Sequence, residues 1–281
     1  MTPPPTPPPP STPPRLVATD LDGTLLRADG TLSAPSRRVL AALDERGVHV
    51  VLVTARPRRW MLDLWPVVGA HGLAVVSNGA LTWDVAADRP VETRPFDPAV
   101  GRAVVSRVAA AVPGAGFGVE RVSGLVCDAA YTEIEDPPAG LVVDDPERLW
   151  DEPGLKLLVQ DEGADPAALR DAVTEAVGDD AEATWTLPGL VEVSARGVTK
   201  GVALAHLAAG LGIDAADVVA FGDMPNDVAM LTWAGRGCAV ANAHPDVRAA
   251  ADEVVGHHDD DGVARALAGL FDLPSAVMGA C

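Results

Sequence analysis

The sequence predicts an α/β protein in which a parallel-sheet core is split by an inserted α+β domain. Three observations carry that prediction. Strand-like and helix-like segments alternate over residues 15–81 and again over 191–273, the order of a parallel sheet with right-handed crossovers. Residues 82–190 instead mix strand-like and helical pieces with loops rich in Pro, Asp and Gly, as at 135–146, the pattern of an insertion. Two carboxylates, Asp20 and Asp22, stand where the first apolar run meets Gly23, at the end of a predicted strand.

Residues 16–19 are that run and read as a buried strand, on which positions two apart face the same side. Asp20 and Asp22 therefore repel each other, and a hard divalent cation, a shared proton or a nearby lysine must offset them. Ser33 is a helix cap with Pro35 in the first turn, and Val39, Leu40 and Leu43 follow at helical spacing until Gly47. Residues 49–54 predict the second strand, 57–64 the start of a helix, and 73–77 a third strand closed by an Asn78-Gly79 turn. Inside the insertion, strands are expected at 118–122, 155–160 and 183–187, and helices at 98–111 and 166–177. Beyond it, helices at 198–210, 227–234, 244–251 and 262–270 alternate with strands at 218–221, 237–241 and 253–255.

Composition sets limits on partners. The 281 residues are 48% hydrophobic, enough for a packed core in roughly one to two domains. Residues 1–14 are nearly all Pro, Thr and Ser and read as a disordered extended tail, without the basic start and apolar stretch of a signal peptide. Residues 274–281 read as a C-terminal tail. No apolar run reaches membrane-spanning length, and the three cysteines have neither metal-ligand spacing nor an even count for disulfides, so a cytoplasmic protein is expected. The net charge of −19 argues against nucleic acid, and it requires any phosphate site to carry its own positive charge. Only two of the 21 basic residues are lysines, Lys156 and Lys200. Taken alone, Lys200 at the mouth of a helical segment is either a solvated lysine or a point charge for a phosphate.

Ligands of open parallel sheets bind beyond the carboxyl ends of the strands. The first strand ends in Asp20 and Asp22, the second in Thr54, and 218–221 is followed by Asp223, Asn226 and Asp227. Three carboxylates, a hydroxyl, an amide and the Lys200 ammonium suit a phosphoryl group held with Mg²⁺. No Gly-x-Ser-x-Gly elbow, Gly-x-x-x-x-Gly-Lys loop or Gly-x-Gly-x-x-Gly turn competes with that reading.

Asp20-Leu21-Asp22-Gly23-Thr24, Thr54, Lys200 and Gly222-Asp223-x-x-Asn226-Asp227 occur in the order of the four motifs of the haloacid dehalogenase superfamily, which the chain resembles over residues 15 to about 273. The insertion resembles the type IIB cap, so the chain looks like a Cof-type phosphatase with a Rossmann-like core at 15–81 and 191–273 and a cap at 82–190. The resemblance implies that Asp20 is the nucleophile, forming an aspartyl phosphate, and that Asp22 is the acid/base, which favours phosphoryl over dehalogenase chemistry. It implies Mg²⁺ on Asp20, Asp223 and the backbone carbonyl of Asp22. Thr54, Lys200, Asn226 and the backbone N–H groups of Leu21 and Ala55 would cradle the phosphate. Asp227 would orient Lys200 or a metal-bound water. Arg56, Asn78 and Gly79 are candidate substrate contacts, with loop stabilisation or an ordinary turn as the competing readings. The run His257 to Asp261 resembles a metal cluster, but it lies far along the chain from the motifs and reads instead as a solvated loop, and His206 reads as packing.

The expected activity is Mg²⁺-dependent hydrolysis of a small phosphorylated metabolite, such as a sugar phosphate or a phosphorylated cofactor. One alternative is a phosphomannomutase-like phosphomutase, whose cap should present extra cations; Arg102, Arg107, Arg121 and Lys156 are the candidates. Another, of a different class, is a non-catalytic phospholigand-binding protein. The sequence carries no signal for oligomeric state.

Overall fold

The computed structural model describes residues 13–68, 72–132, 141–143, 146–185 and 187–279. Most of the Pro-rich tail, part of the expected 135–146 loop and the last two residues lie outside the described residues.

The chain enters through β1 (Leu16–Thr19), α1 (Ala34–Glu45), β2 (His49–Val53) and β3 (Leu73–Val76), then turns back as a hairpin of β4 (Leu81–Asp84) and β5 (Arg89–Thr93). The insertion contributes α2 (Pro98–Ala111), β6 (Gly116–Arg121), β7 (Gly124–Asp128), β8 (Leu141–Val143), β9 (Lys156–Gln160), α3 (Pro166–Val177), β10 (Ala181–Thr184) and β11 (Leu190–Ala195). The chain returns with α4 (Lys200–Gly210), β12 (Val218–Gly222), α5 (Val228–Trp233), β13 (Arg236–Ala239), α6 (Pro245–Ala250), β14 (Glu253–Val254), α7 (Gly262–Leu270) and a short α8 (Ser275–Met278).

Two sheets result. The core sheet has eight strands in the order β14-β13-β12-β1-β2-β3-β4-β5, parallel from β14 to β3 and antiparallel beyond. The cap sheet has six, in the order β10-β11-β9-β6-β7-β8. β1 lies between β2 and β12 with every residue buried, as expected of a central parallel strand read from an unbroken apolar run. α1 begins as expected: Ser33 Oγ accepts from the Ser36 N–H at 3.0 Å, and Val39, Leu40 and Leu43 are buried against the sheet. Helices α2 and α3 pack on one face of the cap sheet around a separate apolar core that includes Phe96, Val104, Trp150 and Val173. The other face of that sheet turns toward the carboxyl ends of the core strands.

Several expectations need correction. The expected helix at 57–64 is two 3₁₀ turns, Arg58–Trp60 and Trp65–Val67. Pro66 has no N–H to continue a helix, and tertiary partners claim the neighbouring side chains: the Arg58 guanidinium stacks 4.1 Å from the Trp83 ring centre, and Arg59 pairs with Glu120 at 2.7 Å. β4 and β5 extend the core sheet although the expected insertion begins at 82, and β11 joins the cap sheet although the expected core resumes at 191. β5 is weakly marked because it is exposed and contains Pro90. Part of the expected C-terminal tail is helix α8, held by Arg38, whose Nε and Nη2 donate to the carbonyls of Val277 and Met278 at 2.7 and 2.8 Å.

Candidate active site

The Asp20 N–H donates to the Phe221 carbonyl at 3.0 Å, continuing the β1–β12 pairing by one residue and bringing Asp20 alongside Asp223. A wide turn over Leu21–Leu25 follows, closed by the Leu26 N–H on the Leu21 carbonyl at 2.9 Å. Gly23 in that turn has φ +73°, and a Cβ there would sit 2.5 Å from Asp223 Oδ2. Glycine supplies both the left-handed backbone and the close approach. Thr24 Oγ1 then donates to Asp223 Oδ1 at 2.8 Å.

Lys200 stands in the first turn of α4, capped by Thr199, whose Oγ1 accepts from the Val202 N–H at 3.2 Å. Its side chain is 1% exposed, and Nζ donates to Asp20 Oδ1 at 2.8 Å and to Asp227 Oδ1 at 2.6 Å. The other Asp227 oxygen accepts from the N–H groups of Asp223 and Met224 at 2.9 and 3.0 Å. Both Asp227 oxygens are thus engaged in orienting Lys200 and the β12–α5 loop.

The electrostatics follow from burial. Desolvation lifts the Asp20 carboxyl well above the ordinary range; Lys200 opposes the rise, and Asp227 and Asp223 add to it. Asp223 is pushed up to about 6, by burial first and then by the Asp227 charge, against the Thr24 hydrogen bond. Burial alone would lower the Lys200 ammonium, but Asp20 and Asp227 outweigh it and hold its pKa above the usual lysine value.

This donor set fits a divalent cation. Asp20, Asp223 and Asp227 each bring a carboxylate oxygen within 4.8 Å of the others, and the Lys200 ammonium that meets them leaves negative charge in excess. The ligand atoms are hard oxygens, as Mg²⁺ requires. With Asp227 committed to its hydrogen bonds, Asp20 and Asp223 are the side chains free to ligate.

The second strand end supplies the opposite wall. Thr54 is buried, with its N–H on the Val75 carbonyl at 2.9 Å, and its Oγ1 accepts from the Arg56 N–H at 3.0 Å. Arg56 forms a two-pronged pair with Asp22, Nε to Oδ2 at 2.8 Å and Nη2 to Oδ1 at 2.5 Å. Asp22 is 56% exposed, so the pair stands at the mouth of the site. Leu21 is fully buried inside the turn, and Ala55 follows Thr54 with its carbonyl accepting from Lys156 Nζ at 2.7 Å.

Asn78 and Gly79 are held by contacts within the protein. Asn78 is 3% exposed with φ +56°, and its Oδ1 accepts from Asn226 Nδ2 at 3.0 Å. Its Nδ2 donates to Glu192 Oε2 at 3.2 Å and to Thr184 Oγ1 at 3.3 Å, both on the cap sheet. Gly79 has φ +100°, and a Cβ there would meet the Thr199 carbonyl at 2.4 Å. His258 belongs to a buttress rather than a merely solvated loop: its Nδ1 lies 2.8 Å from the Leu26 carbonyl, and its N–H donates to Asn242 Oδ1. His206, read as packing, is exposed and 3.3 Å from Glu92. Sequence reasoning missed Glu120 and Glu192; the signal for Glu192 was a carboxylate between two valines of a strand-like run.

The fold and this strand-end site define a class. The sequence pattern described as haloacid dehalogenase-like hydrolase matches residues 17–267, and the chain belongs to that family. Two curated relatives from Bacillus subtilis (strain 168) are both named 5-amino-6-(5-phospho-D-ribitylamino)uracil phosphatase. YcsE is 27% identical over 90% of this chain and 94% of its own, and YitU is 27% identical over 92% and 98%. Among solved structures, SMU.1108c from Streptococcus mutans UA159 superposes with a TM-score of 0.80 at 22% identity, covering 92% of this chain and 99% of that one. The HAD subclass IIB sugar phosphatase BT4131 superposes with a TM-score of 0.77 at 19% identity, covering 92% and 100%. The inserted cap and the parallel-sheet core together share the fold of the subclass IIB structure, and the family is one of hydrolases. Among the described residues, no helix is long and apolar enough to cross a membrane.

Proposed function

We propose that the chain is a Mg²⁺-dependent phosphatase that hydrolyses the phosphate monoester of a small metabolite through an aspartyl phosphate on Asp20. The observation that carries this reading is the buried Asp20 carboxylate, aligned by Lys200, beside Asp223 and two residues before the half-exposed Asp22. An Asp20 oxygen attacks phosphorus, and the bond to the leaving oxygen breaks as the new O–P bond forms. Asp22 gives that oxygen its proton. Water then attacks phosphorus, Asp22 takes a proton from it, and the Asp20 O–P bond breaks to release phosphate. Lys200, the Thr54 hydroxyl, the Asn226 amide and the N–H groups of Leu21 and Ala55 meet the phosphate oxygens. Asp20, Asp223 and the Asp22 carbonyl would hold Mg²⁺, which when bound supplies counter-charge to the carboxylates and the phosphoryl group.

The relatives named for a phospho-ribityl substrate and the sugar phosphatase neighbour support a phosphorylated polyol or sugar as the substrate class. The phosphomutase reading is weakened by the fate of the cap cations. Arg102 donates to the Trp150 carbonyl, Arg107 pairs with Asp180, Arg121 donates to the Leu149 carbonyl and Lys156 pairs with Glu192. Each is committed to a structural partner instead of a second phosphate.

The test is phosphate release from a panel of sugar, polyol and cofactor monoesters by the full chain, with Mg²⁺ and with excess chelator. Release that needs the metal is expected. Turnover that survives chelation overturns the metal assignment, and isomerised product without free phosphate overturns hydrolysis in favour of the mutase.

A further inference from the structure

Lys156 and Glu192 lie on the cap-sheet face that covers the site, 1% and 4% exposed. The ammonium pairs with Glu192 Oε1, and both groups reach across to the core. Lys156 Nζ donates to the Ala55 carbonyl at 2.7 Å. That carbonyl belongs to the peptide whose N–H, on Arg56, donates to Thr54 Oγ1 at 3.0 Å. With an acceptor lone pair occupied, the Thr54 hydroxyl has its own hydrogen to give to a ligand. Glu192 Oε2 accepts from Asn78 Nδ2, and Asn78 Oδ1 accepts from Asn226 Nδ2 at 3.0 Å, which leaves the second Asn226 N–H to give. One buried ion pair is therefore linked to both walls, the loop after β2 and the loop after β12.

Stability does not explain the pair. Two buried charges cost desolvation that their attraction only partly offsets, and an apolar pair of similar volume commonly serves as well. The same sheet face supplies such residues close by, in Leu125, Leu158 and Leu190. Charge-assisted hydrogen bonds instead fix direction. We infer that Lys156 and Glu192 are positioning residues, through which the seated cap orients the Thr54 hydroxyl and the Asn226 amide toward the substrate phosphate. Arg59, paired with Glu120 at 2.7 Å, fastens the same β2 loop to the cap a second time.

The inference rests on the phosphatase reading, and inorganic phosphate binding in the presence of Mg²⁺ separates the two. A wild-type chain that neither releases nor binds phosphate ends the reading itself. If it does both, Lys156→Met and Glu192→Leu are expected to weaken phosphate binding by roughly tenfold to a hundredfold, the range for losing a residue that orients a ligating group. Two double-mutant cycles decide the route. In a Thr54→Val background Lys156→Met should change phosphate affinity little further, and likewise Glu192→Leu in Asn226→Ala. Glu192→Gln, which keeps an acceptor for Asn78, should retain more affinity than Glu192→Leu and guards against misfolding of the harsher variant. Additive effects in both cycles, or wild-type phosphate affinity in Lys156→Met, overturn the inference.

Discussion

The floor and the roof of the cleft are both built from buried charges, and they balance them differently. On the floor, Asp20 and Asp227 hold the ammonium of Lys200, and Asp223 adds a third carboxylate beside them. On the roof, Lys156 meets Glu192 and Arg59 meets Glu120, each charge with its own partner. A surplus of carboxylates costs folding energy that a bound cation would offset, and the proposed metal site lies on that floor. Matched pairs have little left to offer a ligand and serve as geometry. The difference separates binding chemistry from orientation within a single cleft.

The largest expected effect is on the floor. Asp20→Asn should lower phosphate release by roughly 10⁴-fold or more, the scale for removing a covalent nucleophile. The metal-free melting temperature should hold or rise, because the amide removes a carboxyl that burial already holds well above its ordinary pKa. Parallel measurement of phosphate release and thermal melting checks both. Turnover near wild type would remove Asp20 from the chemistry and erase the distinction between the two surfaces.

Next comes a paired test of charge surplus. Lys200→Met and Lys156→Met each strand buried carboxylate, and each should cost about 3–5 kcal/mol of stability without metal. The two should then part company. Mg²⁺ should recover part of the loss in Lys200→Met, where the proposed ligands Asp20 and Asp223 lie together, and none in Lys156→Met, where Glu192 keeps only its hydrogen bond from Asn78. Urea unfolding with and without Mg²⁺ reads the difference. Equal recovery in both variants would mean that the roof also binds cations.

The floor was legible in the sequence because its chemistry is carried by short local runs. Asp20 to Thr24 forms one turn, and Asp223 to Asp227 another, so residue order alone brings the right groups to two strand ends. The roof was not legible, because its contacts depend on how the cap seats on the core. Asn78 and Glu192 meet across 114 positions of chain, and Asn78 and Asn226 across 148. Lys156 stood out as a rare lysine, but its partner did not. The expected helix at 57–64 failed for a related reason, since Arg58 and Arg59 are taken by Trp83 and Glu120 from distant parts of the chain. The insertion was recognisable by its composition, whereas its edges were blurred by a hairpin that shares the core sheet and by β11, which does not.

The smallest effect sharpens the floor's account of itself. Asp223 titrates at about 6, raised from 3.8, so the folded chain holds that proton more tightly than the unfolded one. In the metal-free protein this group stabilises the fold fully below pH 3.8 and loses that contribution as the pH climbs through about 6. A cation competes with the same proton, so the melting shift produced by Mg²⁺ should be small near pH 5 and grow as the pH passes 6. Thr24→Val removes the hydrogen bond that Thr24 Oγ1 gives to Asp223 Oδ1 at 2.8 Å, a bond that favours the ionised form. The Mg²⁺-dependent rise should therefore move to higher pH in the variant, with its size at high pH nearly unchanged. A midpoint that stays in place would mean that burial, Asp227, Lys200 and Asp20 set the Asp223 proton, and that Thr24 shapes the turn without tuning the carboxylate.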